Sequence, residues 1–259
     1  MIEVSVLASG SNGNCFFFQG NGSGFLIDAG ISTKQICQRL GNIGKQIHDI
    51  KGIFLTHEHI DHVRGIQVLI KRFQIPIYLS QGTHNGLKFN IDPKVVNIIS
   101  DGAVIVSNDC QIKAFKKSHD AKEPLSYTLS YNGKKASFIT DLGHACDNVK
   151  TAVKESDILI LESNYDSNML DKGTYPYFLK KRISGFKGHL SNDDAGVLVK
   201  ENGSSLLKQV FLSHLSAENN RPDIALNTFK SIVGKEKDLK GMNINVIERG
   251  GSSNITFAS

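Results

Sequence analysis

Apolar residues along this chain recur with two periods, one typical of strands and one typical of helices. Short apolar or alternating runs, bounded by glycine, asparagine or serine, predict a series of strands. They lie at 2–7, 16–18, 25–27, 52–55, 75–79, 127–131, 135–140, 157–162, 210–212 and 244–247, with further short strands between 95 and 115. Asn132-Gly133 lies between two of these runs and predicts a hairpin.

Helical spacing and capping residues predict the intervening helices. Ser32-x-x-Gln35 has the form of a capping box, and helical spacing continues from Val63 to Phe73. A short helix is expected over 83–89, another after Ser191 that ends at Gly203, and a last one from Pro222 to Gly234. The alternation of the two periods predicts an α/β fold.

Length and composition place the chain among ordinary globular proteins. With 259 residues, 40% hydrophobic and 21% charged, it fits one α/β domain spanning 1–259. No apolar run approaches the ~20 residues that a membrane span requires, and the chain begins directly with a predicted strand, so we expect neither a membrane protein nor a secretory signal. The four cysteines have no Cys-x-x-Cys spacing, which favours reduced thiols in a cytoplasm.

The strongest chemical signal is the segment Thr56-His57-Glu58-His59-Ile60-Asp61-His62, which follows a predicted buried strand. In extended backbone, residues two apart share a face, so His57 and His59 can face one metal ion. The turn into the next helix then brings Asp61 and His62 toward a neighbouring ion. Imidazole and carboxylate suit Zn, Mn or Fe, so the segment predicts a site for two divalent metal ions.

Polar residues at other strand ends extend this prediction. His119 follows the apolar segment 112–115. Two weak internal similarities add Asp141 and His214: Phe25-Leu26-Ile27-Asp28-Ala29-Gly30 is similar to 138–143, and 53–57 is similar to 210–214. The spacing of this repeat is irregular, so it supports the metal site without deciding it.

With these residues in this order at strand ends, the chain resembles the metallo-β-lactamase-fold hydrolases. The resemblance implies a four-layer αββα sandwich, in which two sheets pack face to face with helices outside. It also implies a dinuclear site, with His57, His59 and His119 on one metal, Asp61, His62 and His214 on the other, and Asp141 as a bridge. Asp28 would orient a ligand imidazole from behind.

Further motifs resemble one branch of that superfamily, the YycJ/WalJ-like branch. They are Ser9-Gly10-Ser11-Asn12-Gly13-Asn14-Cys15, Ser118-His119-Asp120-Ala121, Leu161-Glu162-Ser163-Asn164, and 175–183 leading to Gly188-His189-Leu190-Ser191-Asn192. This branch implies 5′ to 3′ exonuclease action on DNA in a bacterial cytoplasm. Asp141 stands where lactam-hydrolysing members have cysteine, which argues against lactam hydrolysis.

The expected chemistry is attack of a metal-bridging hydroxide on a phosphodiester. Asp61 could take up the proton of the attacking water, and His189, just ahead of a predicted helix, is the candidate general acid. Substrate contacts are expected from Ser191, Asn192, Lys180 and Arg182. The formal net charge of +5 is compatible with DNA as a partner but does not require it.

Several alternatives remain open from the sequence. A small-molecule metallohydrolase of the same fold, such as a cyclic phosphodiesterase or a glyoxalase-type thioesterase, would use the same ligands. A non-catalytic DNA-binding or regulatory protein is a third possibility. The Ser9 to Asn14 loop either contacts phosphate or is only a tight turn, His144 either reaches substrate or is structural, and no motif indicates a protein partner.

Overall fold

Strands and helices alternate along the chain, as the two apolar periods predict. The computed structural model describes residues 1–234, 236–248, 251–254 and 256–258. Its strands are β1 Ile2–Ala8, β2 Cys15–Gly20, β3 Ser23–Ile27, β4 Ile50–Phe54, β5 Ile77–Leu79, β6 Val96–Ile98, β7 Val104–Ser107, β8 Cys110–Lys116, β9 Leu125–Tyr131, β10 Lys134–Ile139, β11 Ile158–Glu162, β12 Gln209–Ser213, β13 Asn243–Val246 and β14 Thr256–Ala258. Its α-helices are α1 Thr33–Asn42, α2 Ile60–Val63, α3 Ile66–Phe73, α4 Gln81–Gly86, α5 Asp147–Glu155, α6 Ser167–Lys172, α7 Tyr177–Ile183, α8 Asn192–Asn202 and α9 Pro222–Val233.

Contacts divide the chain into two compact units. The first comprises Met1–Lys116, Ala121–Lys134 and Gly250–Ser259, and the second comprises Lys117–Asp120 and Lys135–Arg249. The strands belong to two sheets, which confirms the predicted α/β class. A single domain over 1–259 stays a prediction.

In the first unit, seven strands form a sheet in the order β14-β1-β2-β3-β4-β5-β6. β1, β2 and β3 are antiparallel, and Asn21 and Gly22 turn the chain between β2 and β3 with φ of 48° and 73°. From β3 to β6 the strands are parallel. The register pairs Ile27 with Phe54, so the residues after β3 and β4 emerge at the same edge of the sheet. Strands β7, β8 and β9 form an antiparallel meander in the same unit.

The second unit contains a parallel run of strands, β10 to β13 in consecutive order. Its central strands β11 and β12 are fully buried, as expected for continuous apolar segments covered on both faces. Ile139, Leu161 and Leu212 are in register, so the segments after β10, β11 and β12 also share one edge. The hairpin prediction at Asn132-Gly133 is confirmed, because both residues have positive φ, 50° and 74°.

Helix boundaries agree with the sequence where capping is clear. Ser32 and Gln35 form the predicted capping box of α1, and Ser191 and Pro222 begin α8 and α9. The single helix predicted over Val63 to Phe73 is instead α2 and α3. Gly65 joins them, and a Cβ there would lie 2.2 Å from the carbonyl oxygen of Ile31.

Four helices differ from the sequence prediction. α4 begins at Gln81 because Ser80 caps it, earlier than the predicted 83–89. No element was predicted for α5, or for α6 and α7 within 163–188. Across the described ranges, none of the helices has the length and apolar character needed to cross a membrane.

Candidate metal centre

Four of the predicted metal ligands converge at the end of β4 in the first unit. His57 and His62 are fully buried, whereas His59 and Asp61 are partly exposed. His57 Nε2 lies 3.0 Å from His59 Nδ1, and the rings of His57 and His62 are 4.0 Å apart between centroids. The Asp61 carboxylate lies 3.5 Å from His62 Nε2. Three imidazoles and a carboxylate therefore lie close to one another in pairs, and these donor types suit divalent cations.

Asp28 contacts this cluster from the end of β3. Its carboxylate is fully buried at the end of β3 and lies 2.7 Å from His62 Nδ1. It also accepts hydrogen bonds from the backbone N–H of Thr56 at 2.8 Å and from the Thr56 hydroxyl at 2.9 Å. Because the only hydroxyl proton of Thr56 is directed to Asp28, the 2.9 Å contact between Thr56 Oγ1 and His57 Nδ1 requires the imidazole to donate. In both His57 and His62, Nδ1 thus carries the proton and Nε2 the lone pair.

Asn14, at the end of the Ser9 to Asn14 loop, completes the support of this half. Asn14 Oδ1 accepts from the N–H of Gly10, which fixes the amide orientation. Its Nδ2 then lies 3.1 Å from His62 Nε2 and 3.4 Å from Asp61 Oδ2, as a donor to both. The backbone N–H of Asn14 also donates to the Asp61 carbonyl at 2.7 Å. The loop therefore supports the ligands, and the sequence did not identify Asn14 as part of the site.

The backbone of the histidine motif is anchored by a segment distant in sequence. Leu125 donates its N–H to the Thr56 carbonyl at 2.9 Å, and the buried Tyr127 hydroxyl donates to the Leu55 carbonyl at 2.6 Å. Burial raises the pKa of Tyr127 well above its usual value, with Asp28 adding to the effect, so this hydroxyl stays a donor. Glu58 accepts from the N–H of Lys122. The motif is thus held from both ends by contacts within the polypeptide.

The remaining predicted ligands lie together in the second unit. His119 follows β8, Asp141 follows β10 and His214 follows β12, and their side chains are at most 4% exposed. One carboxylate oxygen of Asp141 lies 3.8 Å from His119 Nε2 and 3.6 Å from His214 Nδ1. His189, the candidate general acid, is 3.8 Å from the same oxygen.

Glu162, at the end of β11, was not recognised from the sequence and is the organising residue of this second cluster. It is fully buried, and its Oε1 lies 2.9 Å from His189 Nδ1 and 2.7 Å from His214 Nδ1. Oε2 accepts from the backbone N–H groups of Leu142 and Leu190. The signal that could have found it is a carboxylate ending a continuous apolar strand, the same position that Asp28 and Asp141 occupy.

The electrostatics of the second cluster follow from these contacts. Burial alone would raise the pKa of Glu162, but His189 and His214 outweigh it and lower the value to about 2. Conversely, burial would lower the pKa of His189, and the adjacent Glu162 carboxylate raises it instead. Burial dominates at His119 and lowers its pKa to about 4, despite the neighbouring Asp141. The cluster therefore holds an ionised glutamate, as a hydrogen-bond acceptor for two imidazoles.

The same tautomer recurs at four predicted ligands. His119 Nδ1 lies 3.1 Å from the Gly188 carbonyl, which can only accept, and His214 Nδ1 faces Glu162. Together with His57 and His62, each imidazole has Nδ1 tied to an internal acceptor, so Nε2 is the atom with ligand character. This arrangement is common behind metal-bound histidines. The donor set and its tautomers therefore fit divalent metal ions.

Three of the strand-end residues have left-handed backbone. Asp28, Asp141 and His214 have φ of 60°, 54° and 58°. Such φ values are uncommon outside glycine and persist where the surrounding structure enforces them, often at functional sites. Among the residues that the structure describes, the other non-glycine positions with positive φ lie in turns or at the end of α3.

The predicted substrate residues divide into two groups. Ser191 and Asn192 are buried: Ser191 Oγ caps α8 by accepting from the N–H of Asp194, and Asn192 bonds to Ser163 and Asn220. Both side chains have bonding partners within the fold, and their contact with substrate stays a prediction. Lys180 and Arg182 lie on α7, where Lys180 Nζ donates to the Asp171 carbonyl and Arg182 Nε to Asp120.

The chain was compared with known proteins. A family described as "Beta-lactamase superfamily domain" matches residues 24–214. "Exodeoxyribonuclease YycJ" of Bacillus anthracis is 36% identical over 227 residues, covering 86% of each chain. "Exodeoxyribonuclease WalJ" of Streptococcus pneumoniae serotype 2 (strain D39 / NCTC 7466) is 33% identical over 228 residues, covering 86% of this chain and 85% of that one. Among solved structures, the metallo-beta-lactamase fold protein YhfI from Bacillus subtilis aligns with a TM-score of 0.71 and 16% identity, over 97% of this chain and 98% of that one.

These similarities cover most of the chain, and the predicted ligands carry the residue types and the order of the family motifs. The structural similarity confirms the fold, and the sequence relatives exceed 30% identity over most of their length. The chain therefore belongs to the metallo-β-lactamase superfamily, in the family of the YycJ and WalJ proteins.

Proposed function

We propose that the chain is a metal-dependent exodeoxyribonuclease that degrades DNA from 5′ to 3′ in the bacterial cytoplasm. The observation that carries this proposal is the set of histidines with Nδ1 tied to internal acceptors, in a chain 36% identical to a protein named as an exodeoxyribonuclease. The polarity and the location follow from the resemblance to that branch.

We further propose that both clusters serve one dinuclear site. His57, His59 and His119 would hold one divalent ion, Asp61, His62 and His214 the other, and Asp141 would bridge them. Zn and Mn suit this donor set, and Fe is also acceptable to it. Bound divalent ions would supply an activated water and neutralise charge on the attacked phosphate.

The protein's own groups have separate tasks. Asp61 would take up a proton from the attacking water. His189 is held by Glu162 through Nδ1, so Nε2 is the atom that can present a proton to the departing 3′ oxygen. Asp28 and Glu162 keep the ligand imidazoles in the required tautomer.

Digestion of end-labelled DNA tests the function. In the presence of Mn or Zn we expect release of nucleotides from the 5′ end. Most of this activity should be lost in His57→Ala and Asp141→Ala, which remove predicted metal ligands. His48→Ala is the matched control, because His48 is exposed on the surface of the first unit. Cleavage of a model ester with DNA left intact would indicate a small-molecule hydrolase. Salt-dependent DNA binding with no turnover under any metal would indicate a binding protein.

The role of His189 has its own test. In His189→Ala we expect DNA hydrolysis to fall by about 100- to 10,000-fold, the usual range for losing a general acid. Hydrolysis of bis(p-nitrophenyl) phosphate should change little, since p-nitrophenolate leaves without protonation. Equal losses on both substrates would exclude His189 as the acid.

A further inference from the structure

Helix α7 and the loop after it have an unusual surface for a segment of a folded unit. No residue of α7 is buried. Tyr177, Phe178 and Phe186 are 74%, 73% and 67% exposed, more than most large apolar residues of the described chain. We call residues 177–187 the aromatic-basic segment. Large aromatic side chains kept in water usually mark a binding surface.

The charge of this segment is strongly one-sided. Among its eleven residues are four cations and no acidic residue, in a chain whose net charge is +5. The cations are Lys180, Lys181, Arg182 and Lys187. On the helix, Lys181 lies four positions after Tyr177, and its Nζ is 5.5 Å from the centre of the tyrosine ring. Aromatic rings with adjacent cations provide stacking together with attraction for phosphate.

The segment is also tied to residues of the second metal cluster. Arg182 Nε donates to Asp120 at 2.6 Å, next to His119. Ser118 Oγ donates to the Phe186 carbonyl at 2.7 Å, and the Phe186 ring stacks on His144 at 4.5 Å with 23° between planes. A ligand held here is therefore held close in the fold to His119 and to the loop after Asp141.

We propose that the aromatic-basic segment binds single-stranded DNA, by stacking unpaired bases on Tyr177 and Phe178 while Lys181 and Lys187 contact the backbone. The inference rests on the proposed function and deepens it, because it assigns the strand type that enters the site. Paired bases hide their faces inside the duplex, so a stacking surface selects unpaired nucleotides. Phe186 and His144 form a second stacked pair beside the metal ligands.

Binding without turnover tests the proposal directly. Fluorescence anisotropy in EDTA compares a labelled 20-nucleotide oligothymidylate with an abasic strand of equal length and charge. For Tyr177→Ala/Phe178→Ala we expect affinity for oligothymidylate to fall about 10- to 100-fold, the range for losing base stacking, with the abasic strand bound as before. Phe257→Ala is the matched control, since Phe257 is an aromatic residue that is 56% exposed in the first unit. Equal effects of the double variant and the control would overturn the proposal.

A fluorescent variant reports stacking itself. The chain contains no tryptophan, so Tyr177→Trp introduces a single indole at the proposed contact. We expect its emission to be quenched by oligothymidylate and unchanged by the abasic strand. Unchanged emission with both strands would overturn the proposal. If sedimentation of the wild type shows self-association that the double variant abolishes, the surface is an interface between copies and the proposal is also wrong.

A separate assay distinguishes failure of the stacking proposal from failure of the proposed nuclease function. Hydrolysis of bis(p-nitrophenyl) phosphate should be unchanged in the double variant, because that substrate has no bases to stack. Stacking signals without cleavage of any phosphodiester would refute the nuclease and leave the binding surface. If the double variant cleaves DNA as fast as the wild type does, the nuclease function stands and the proposed stacking surface is wrong.

Discussion

Replacing Glu162 by glutamine tests whether a buried carboxylate sets the tautomers of the second cluster. The native carboxylate accepts from four donors, two imidazole Nδ1–H groups and two backbone N–H groups. A glutamine amide has one acceptor end and one donor end. If the NH₂ group faces the backbone, it meets two N–H donors, those of Leu142 and Leu190, and neither finds an acceptor there. If it faces the imidazoles, His214 must carry its proton on Nε2, the predicted ligand atom.

Either orientation has a definite cost. A hydrogen bond to a charged group contributes about 1.5–3 kcal/mol, so the metal-free variant should be measurably less stable than the wild type. Loss of a supporting carboxylate behind a ligand histidine typically lowers metal affinity about 10- to 100-fold, or roughly 1.4–2.7 kcal/mol.

Competition of the protein with a chelator for Zn or Mn measures this loss, and urea unfolding of the metal-free forms measures the stability. Glu201→Gln is the control, because Glu201 is exposed on α8. Metal affinity within a factor of two of the wild type in Glu162→Gln would refute the role we assign. A loss of stability alone would make Glu162 a purely structural residue.

Three further outcomes follow from the structure. Gly30→Ala should weaken metal binding in the first cluster about 10-fold or more. A Cβ at this position would lie 1.6 Å from the carbonyl oxygen of Asp61, so the Asp61 backbone must move. Wild-type metal affinity in chelator competition would contradict this prediction. Cys15 and Cys110 should resist a thiol reagent at pH 8 while the two partly exposed cysteines react. Burial raises the pKa of Cys110 from 9.0 to about 11, which lowers its thiolate fraction about 100-fold. Four fast-reacting thiols would contradict the predicted resistance of Cys15 and Cys110. Ser191→Ala should lower the free energy of unfolding by about 1 kcal/mol through loss of the α8 cap and leave DNA hydrolysis unchanged. Lost hydrolysis at normal stability would instead support the predicted contact of Ser191 with substrate.

Sequence patterns predicted the candidate site residues that lie close together along the chain. The ligands of the first cluster lie within six residues of one another after a clear apolar strand, so spacing alone brought them together. The resemblance implied that Asp28 supports a ligand imidazole, and Asp28 does contact His62. The repeat that suggested Asp141 and His214 was weak, but both lie in the second cluster.

Some roles that no sequence pattern indicated depend on partners far away along the chain. Glu162 acquires its role from His189 and His214, which are 27 and 52 residues away, and no local pattern records such a contact. Helix α7 was missed for a different reason. It buries no residue, so it lacks the apolar stripe by which helices are recognised.

The tied imidazoles have a consequence for how the enzyme matures. Zinc fingers need their ion to fold, whereas here the polypeptide itself supplies an acceptor for Nδ1 of four predicted ligand histidines. We therefore expect the apoprotein to be folded and to acquire its ions afterwards. Because imidazole and carboxylate accept several first-row metals, the species loaded would then be decided by cellular supply and by the order of intrinsic affinities, more than by the shape of the cavity.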